Sequence, residues 1–260
     1  MRWEEMTASE EVENADWIVA RLHPFNSYDV GAVIPTGFAA YARILHPAST
    51  GRDHTDVRWS EVAASTGRVI HPLVQFHAIA TPVAGRELEE RPGGREPQTG
   101  TLADRQVRAL ARLVARHTST PQTCWFCLWE GYGYFTPGGM VEFRASFAEG
   151  PKPRLSRLPY SVQKKPKKPT MAAKKVTPNN QRSYLLFTGS VADAVGWEDG
   201  PNIWWPEDRS WCVASEIDHP YSYVGGSREL IEELLADPEL EALPAQLEDP
   251  VTYDSDKINV

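Results

Sequence analysis

The chain has 260 residues, an apolar fraction of 41%, a charged fraction of 24% and a formal net charge of −8, values typical of a soluble folded protein. No apolar run approaches the roughly 20 residues that a membrane helix requires, and the first residues lack the apolar core of a secretory signal. Three cysteines are too few for a disulfide framework in a chain of this length, so the composition predicts a cytoplasmic protein without a membrane anchor.

The charge is unevenly distributed along the chain. Ten of the 27 basic residues fall between Pro151 and Arg182, where there is no Asp or Glu, which leaves 17 basic against 35 acidic residues elsewhere. The stretch has few apolar residues to offset the entropy of ordering it, so we expect residues 151–182 to form a flexible basic insertion. Nucleic acid could bind only through phosphate contacts of Lys164–Lys175, which lack an aromatic residue for base stacking, and a solvated loop is the simpler interpretation.

In the N-terminal half, the apolar pattern predicts two helices and leaves one segment open. Residues 30–34 favour a short strand, and residues 58–65 favour a helical turn. Residues 37–45 have one apolar helical face, but a strand over residues 41–45 competes with it. The clearest helix is Leu102–His117, with Thr101 and Asp104 as a capping pattern.

The C-terminal half favours strands, and these are expected over residues 123–130, 140–147, 184–188 and 210–217. A capping pattern at Ser190 and Asp193 indicates a short helix up to Gly196. Ser227 is expected to cap a helix over residues 228–236, with the side chains of Leu230, Ile231, Leu234 and Leu235 directed inward. These elements predict a single α+β domain over residues 1–260, with helices packed on a mixed or antiparallel central sheet.

Most of the nine tryptophans fall in residues 124–134 (CWFCLWEGYGY) and residues 202–212 (NIWWPEDRSWC). Trp and Arg are favoured as anchors in protein interfaces. In an extended strand Trp204 and Trp205 point to opposite faces, so we expect one of these indoles to be exposed. We therefore predict a partner-binding surface made of Trp204, Trp205, Arg209, Trp129 and Tyr132.

The segments 124–133 (CWFCLWEGYG) and 204–209 (WWPEDR), with 34–38 (IPTGF) and 41–47 (YARILHP), resemble an uncharacterised family of actinobacterial proteins. This resemblance spans most of the chain outside the lysine-rich stretch and implies no particular activity. A more limited resemblance is to the SUKH group of interaction and immunity proteins. It rests on residues 35–41 (PTGFAAY) as the start of a helix and on the helix after Ser227, and it implies protein binding.

The cysteines raise the question of a metal site, because Cys124, Cys127, Cys212 and His219 are the ligand types of a Cys₃His zinc centre. On a strand, however, Cys124 and Cys127 lie on opposite faces and can share neither a metal ion nor a disulfide. We therefore predict buried cysteines that act as small apolar residues, and no metal site.

Carboxylates flank both tryptophan-rich segments. Glycoside hydrolysis uses two carboxyl groups, and stacking aromatics bind its substrate, so an alternative function is a hydrolase or transferase acting on a sugar or a nucleotide. Its catalytic candidates are Glu130, Glu207, Asp208 and Glu216. The competing interpretation is structural: Glu207 and Asp208 begin a turn, and Arg209 pairs with one of them.

The sequence contains no nucleophile elbow, P-loop, dinucleotide-binding glycine motif or His-Glu-x-x-His motif. No cofactor is therefore predicted, and no enzyme class is assigned. The leading hypothesis is a non-catalytic binding or interaction protein with a protein partner.

Overall fold

The computed structural model describes residues 6, 8–50, 55–81, 94–132, 175–178, 182–197 and 199–260. Its α-helices are α1 (Asp16–Arg21), α2 (Trp59–Thr66), α3 (Phe76–Ile79), α4 (Asp104–Val114) and α5 (Arg228–Ala236). Its strands are β1 (Ala40–Leu45), β2 (Ala48–Ser49), β3 (Asp56–Val57), β4 (Cys124–Trp129), β5 (Lys175–Val176), β6 (Tyr184–Gly189), β7 (Ile203–Pro206), β8 (Cys212–Ala214), β9 (Tyr221–Gly226) and β10 (Ala242–Ala245).

The central sheet contains eight of these strands in the order β10-β1-β9-β8-β7-β4-β6-β5, and all of its pairings are antiparallel. β2 and β3 form a separate antiparallel pair. The prediction of an α+β fold with helices on a central antiparallel sheet is confirmed.

Both faces of the sheet are buried, each against its own apolar core. α4 and α5 cover one face, where Leu110 and Leu234 pack in the same cluster as Trp204. α1, α2, α3 and the C-terminal segment cover the other face, where Trp59 and Trp205 are buried. Because neither face meets water, β4 is a nearly continuous apolar run rather than an alternation of apolar and polar residues.

Several predicted elements are confirmed with their local chemistry. α2, α4, β4 and β6 lie where the patterns placed them, and α5 begins at Arg228. The hydroxyl of Ser227 accepts a 3.2 Å hydrogen bond from the backbone N–H of Leu230, as a helix cap should. The predicted short helix after Ser190 is one turn of 3₁₀ helix, Val191–Ala194, and the carboxylate of Asp193 accepts a 2.7 Å bond from the N–H of Ser190.

One predicted strand is absent, and the open choice between helix and strand for residues 37–45 is decided. Residues 30–34 are not a strand: Val30–Ala32 form a 3₁₀ turn, because Asp29 Oδ1 accepts a 3.0 Å bond from the N–H of Ala32. For residues 37–45 the strand is observed, as β1. Gly37 has φ of 100°, which no helix allows, and β1 gains partners on both edges from β9 and β10.

Two predictions about side chains are wrong. Thr101 does not cap α4, because the helix begins after Ala103 and the hydroxyl of Thr101 donates to the carbonyl of Leu102. Leu235 is 37% exposed instead of inward, because it follows Leu234 by about 100° of helical rotation and Leu234 already faces the core.

Part of the predicted basic insertion belongs to the sheet. Lys175–Val176 form β5 and pair with β6. The predicted strand over residues 140–147 and most of the predicted insertion, residues 151–174, lie outside the described residues.

The longest α-helix within the described ranges is α4, with 11 residues. None of the helices in those ranges has the length and apolar character needed to cross a membrane.

Candidate functional site

The two adjacent tryptophans of β7 are core residues. Trp204 is 2% exposed and Trp205 is 1% exposed. They point to opposite faces as predicted, Trp204 into the core under α4 and α5 and Trp205 into the core under α1–α3. The prediction that one indole is exposed is wrong, because helices cover both faces of the sheet, so neither indole can anchor a partner.

Glu207 and Arg209 lie on the turn after β7, beside the first residues of β4. Glu207 accepts a 2.5 Å hydrogen bond from the indole Nε1 of Trp125. The guanidinium carbon of Arg209 lies 5.6 Å from the ring centroid of Trp17. Arg209 makes no ion pair with Glu207 or Asp208 among the described residues, so that predicted pairing is wrong.

Asp208, on the same turn, holds the loop before β4. Its carboxylate accepts bonds of 2.7 Å from the N–H of Ser119 and 2.9 Å from the hydroxyl of Thr118. Partial burial raises the pKa of Asp208, but hydrogen bonds from Ser210 and Ser119 outweigh it and lower the pKa to about 2. Asp208 is therefore an ionised structural acceptor, not a proton donor.

At the other end of β4, one buried amide organises the two remaining predicted binding residues. Asn202 is fully buried, its Oδ1 accepts a 2.8 Å bond from the N–H of Trp129, and its Nδ2 donates a 2.8 Å bond to the hydroxyl of Tyr132. The rings of Trp129 and Tyr132 meet edge to face with centroids 5.2 Å apart. Burial raises the pKa of Tyr132 to about 12, so this phenol stays neutral.

Arg182 joins this end of β4 to the connection between β8 and β9. Its guanidinium lies 5.6 Å from the ring centroid of Trp129 and 2.7 Å from both Glu216 Oε1 and Asp218 Oδ2. Glu216 therefore has the partner that an inward carboxylate requires. Burial raises the pKa of Glu216 even though the positive charge of Arg182 opposes it.

The four carboxyl groups of the enzymatic alternative lie at two opposite ends of β4. Glu130 forms a 2.5 Å ion pair with Lys175 at the C-terminal end of β4. The N–H of Glu207 donates to the carbonyl of Thr123, before the first residue of β4. A six-residue strand is roughly 16 Å long, which exceeds the roughly 5–9.5 Å between the carboxyl groups of glycosidases. Pairing of Glu207 or Asp208 with Glu130 or Glu216 across the sheet is therefore excluded.

His219 separates two cavities beside Arg182. Cavities of ≈ 210 Å³ and ≈ 380 Å³ share the side chains of Asp218, His219 and Val251 as their common wall. We call the two cavities together the double cleft. Arg182, Glu216, Phe25 and Tyr28 also line the smaller cavity, and Glu96, His77, Tyr221 and Tyr253 also line the larger one.

The imidazole of His219 is neutral near pH 7. Burial and then the positive charge of Arg43 lower its pKa to about 4. Its Nδ1 is shielded from solvent and has no hydrogen-bond partner in the part of the chain that the structure describes. An unsatisfied N–H is rarer in proteins than an unsatisfied acceptor, so the favoured tautomer carries hydrogen on Nε2.

Exposed aromatic side chains surround the double cleft. Phe25, Tyr28 and Tyr253 are 46%, 55% and 74% exposed, and they are the aromatic members of the described large apolar residues that remain exposed. Tyr28 has φ of 52°, a left-handed conformation that strains a bulky residue by about 1–2 kcal/mol. A 2.9 Å bond from the N–H of Val251 to the carbonyl of Tyr28 joins the two chain segments that carry these rings.

The cysteines lie where the strand argument put them. Cys124 packs in the core under α4 and α5, whereas Cys127 and Cys212 pack in the opposite core. All three are buried free thiols, so the predicted divergence of Cys124 and Cys127 is confirmed. Within the described ranges, no group of three or more His, Cys, Asp or Glu side chains is arranged to hold a metal ion.

Sequence reasoning missed most of the double cleft. Of its lining, Glu216 and His219 were considered, but Phe25, Tyr28 and Tyr253 were not. These aromatics lie in segments without apolar periodicity, at residues 24–29 and 250–254. An isolated aromatic in a polar segment is the only signal in the sequence that could have pointed to them.

No protein-family model matches this chain, and neither the curated proteins nor the solved structures contain a significant match to it.

Proposed function

We propose that the protein is a non-catalytic, cytoplasmic binding protein that takes up a segment of a protein partner in the double cleft. One observation carries this proposal: the exposed aromatic side chains Phe25, Tyr28 and Tyr253 all line the same pair of adjoining cavities. Aromatic residues are the commonest anchors of protein interfaces, and ligand sites are concave and largely apolar with a few polar groups. The double cleft combines both features.

The backbone of Tyr28 gives further support. A left-handed conformation at a bulky residue costs free energy, and such strain persists where the surrounding structure requires it. The left-handed conformation ends the 3₁₀ turn Phe25–Ser27, and it presents the Tyr28 ring to solvent instead of burying it. The exposed ring is available to a partner.

The enzymatic alternative has less support. Of its four catalytic candidates, only Glu216 lines the double cleft, and its carboxylate is held by Arg182. Asp208 and Glu207 are engaged in fixing the turn after β7, and Glu130 is paired with Lys175. A hydrolase or transferase would have to work with Glu216 and either Glu130 or Asp218, although Arg182 holds Glu216 and Asp218 and Lys175 holds Glu130.

The proposal can be tested by NMR with ¹⁵N-labelled protein and a mixed collection of short peptides and fragments. Binding should shift the amide signals of His219, Val251 and Tyr253. The triple variant Phe25→Ala, Tyr28→Ala, Tyr253→Ala should lose these shifts, whereas Leu235→Ala, which removes an exposed apolar side chain from α5, should keep them. Ligands that shift only other surfaces, or that bind the triple variant unchanged, would contradict the proposal.

A further inference from the structure

We propose that Arg21 and Arg209 form a second binding site, in which their guanidinium groups hold two carboxylates of an acidic polypeptide segment. We call these two residues, together with the indole of Trp17 that both contact, the arginine pair. The arginine pair shares no lining residue with the double cleft, so it goes beyond the proposed function. Its support is the common contact with Trp17, the exposure of both side chains and their freedom from ion pairs within the described residues.

One indole supports both guanidinium groups. The guanidinium carbons of Arg21 and Arg209 each lie 5.6 Å from the ring centroid of Trp17. The ring is fixed in the core, because it is 8% exposed and meets Phe38 and Trp205 edge to face. Since both distances start from one centroid, the two guanidinium carbons are separated by at most twice 5.6 Å. The protein therefore presents two positive charges close together on a rigid support.

The carboxylates of the protein do not neutralise these two charges. Within the described residues, the side chains of Arg21 and Arg209 form no ion pair and donate no hydrogen bond, although the chain has 35 acidic against 27 basic residues. The carboxylates on the same turn as Arg209 are engaged elsewhere, because Glu207 accepts from an indole and Asp208 accepts from a backbone N–H. Two like charges this close repel each other, and an anionic partner bound to both relieves the repulsion.

Both arginines are exposed, and both project from backbone that is held in place. Arg21 is the last residue of α1, and its Nη1 packs beside Gly37, where a Cβ atom would come to 3.3 Å from it. Arg209 closes the turn after β7, because its N–H donates a 2.9 Å bond to the carbonyl of Pro206. The N–H groups of both guanidiniums are therefore accessible to a ligand, and a fixed backbone lowers the entropy cost of binding one.

The chemistry of the arginine pair favours carboxylates at two positions of one segment. A guanidinium binds a carboxylate through two parallel N–H···O bonds, so two guanidiniums match two carboxylates. Alternate residues of an extended segment lie on one face about 7 Å apart, which is within the limit that the shared indole sets. A cation would be repelled, and an apolar segment would leave both guanidiniums without acceptors.

The test adds matched probes to the full-length ¹⁵N-labelled protein and follows it by NMR. The acidic probe is a blocked five-residue peptide with Glu at positions one, three and five and Ala between them, and the neutral probe has Gln in place of each Glu. The reporters are the indole N–H of Trp17 and the side-chain Nε–H signals of Arg21 and Arg209. We expect the acidic peptide to bind about tenfold more tightly than the neutral peptide, and inorganic phosphate to bind more weakly than the acidic peptide.

The variants separate the arginine pair from general attraction to any exposed arginine. Arg21→Gln and Arg209→Gln should each weaken binding of the acidic peptide by roughly threefold, and the double variant should bind it no better than the neutral peptide. Arg228→Gln removes an exposed arginine of α5 that also has no ion pair among the described residues, and it should have no effect. Urea unfolding checks that each variant is folded, and if one is not, the comparison of the two peptides on the wild type decides.

Each outcome has a defined meaning. Equal binding of the acidic and neutral peptides would overturn the inference, as would equal weakening by Arg228→Gln, since the attraction would then be general. Full binding by either single variant would show that one arginine acts alone and would overturn the pair. Phosphate that binds as tightly as the acidic peptide would also overturn it, because the ligand would then be a free oxyanion. The proposed function is tested separately, since its signals come from the double cleft.

Discussion

Acid is expected to destabilise the protein through His46, whose imidazole is buried and neutral. The residue is 1% exposed, and its Nδ1 lies 2.7 Å from the carbonyl oxygen of Gln98. A carbonyl can only accept, so Nδ1 carries the hydrogen and Nε2 accepts the 2.8 Å bond from the hydroxyl of Ser222. That hydroxyl lies 2.5 Å from the hydroxyl of Ser215, so a second hydrogen on the His46 ring would disrupt the hydrogen bonds that link His46, Ser222 and Ser215.

The magnitude follows from the pKa of His46, which burial lowers from 6.5 to about 4. As the pH falls below 6.5, the unfolded chain binds a proton at this ring and the folded chain does not, so stability is lost between pH 6.5 and pH 4. The full loss is about 3.4 kcal/mol, of which about 1.8 kcal/mol falls between pH 7 and pH 5. His219, with its pKa also lowered to about 4, acts in the same direction.

Urea unfolding at pH 7 and pH 5 measures this contribution. His46→Gln cannot titrate, so its free energy of unfolding should fall by about 1.8 kcal/mol less than that of the wild type over this interval. Ser222→Ala keeps the imidazole and loses its partner, so it should be less stable at both pH values with the pH dependence largely retained. Equal pH dependence of His46→Gln and the wild type would refute the assignment.

Three further outcomes are expected. Asp256→Ala should lower the free energy of unfolding in urea by about 3 kcal/mol, because the Asp256 carboxylate accepts bonds from a ring nitrogen and from backbone N–H groups. The exposed Asp254 should tolerate Ala, and equal effects of the two substitutions would contradict this. Tyr28→Gly should keep or raise stability by up to about 1 kcal/mol while abolishing binding, and a clear loss of stability would show that the ring is a packing residue. A thiol reagent should label the three cysteines only after denaturation, since burial raises the pKa of each, and rapid labelling of native protein would disagree.

Much of the fold was predictable because apolar periodicity reflects burial directly. α4 and α5 have one apolar side each, and β4 is an uninterrupted apolar run, so their types and approximate bounds followed from local sequence. The errors arose where a side chain or a distant strand decides the backbone. Asp29 turns residues 30–32 into a 3₁₀ helix, and β9 and β10 select the strand for residues 40–45.

The site was less predictable, because exposure depends on the whole architecture. The sequence predicted that Trp204 and Trp205 point to opposite faces of the sheet. Predicting that both are buried required knowledge that helices cover each face. Phe25 and Tyr253 come together only because the N-terminal and C-terminal segments pair through Asp29 and Pro250. A contact between residues more than 200 positions apart leaves no local trace.

Because of that pairing, the double cleft lies beside the core whose closure depends on segments that are far apart in the sequence. One core is closed by α4 and α5, which are the two longest helices of the described ranges. The other is assembled from α1, α3 and chain ends that are short and remote from one another, so its closure requires long loops and is expected late in folding. A ligand bound across the paired N-terminal and C-terminal segments would hold together the parts of the chain that are expected to open first. Hydrogen exchange at the amides of Val251 and Tyr28 should therefore slow when the ligand binds.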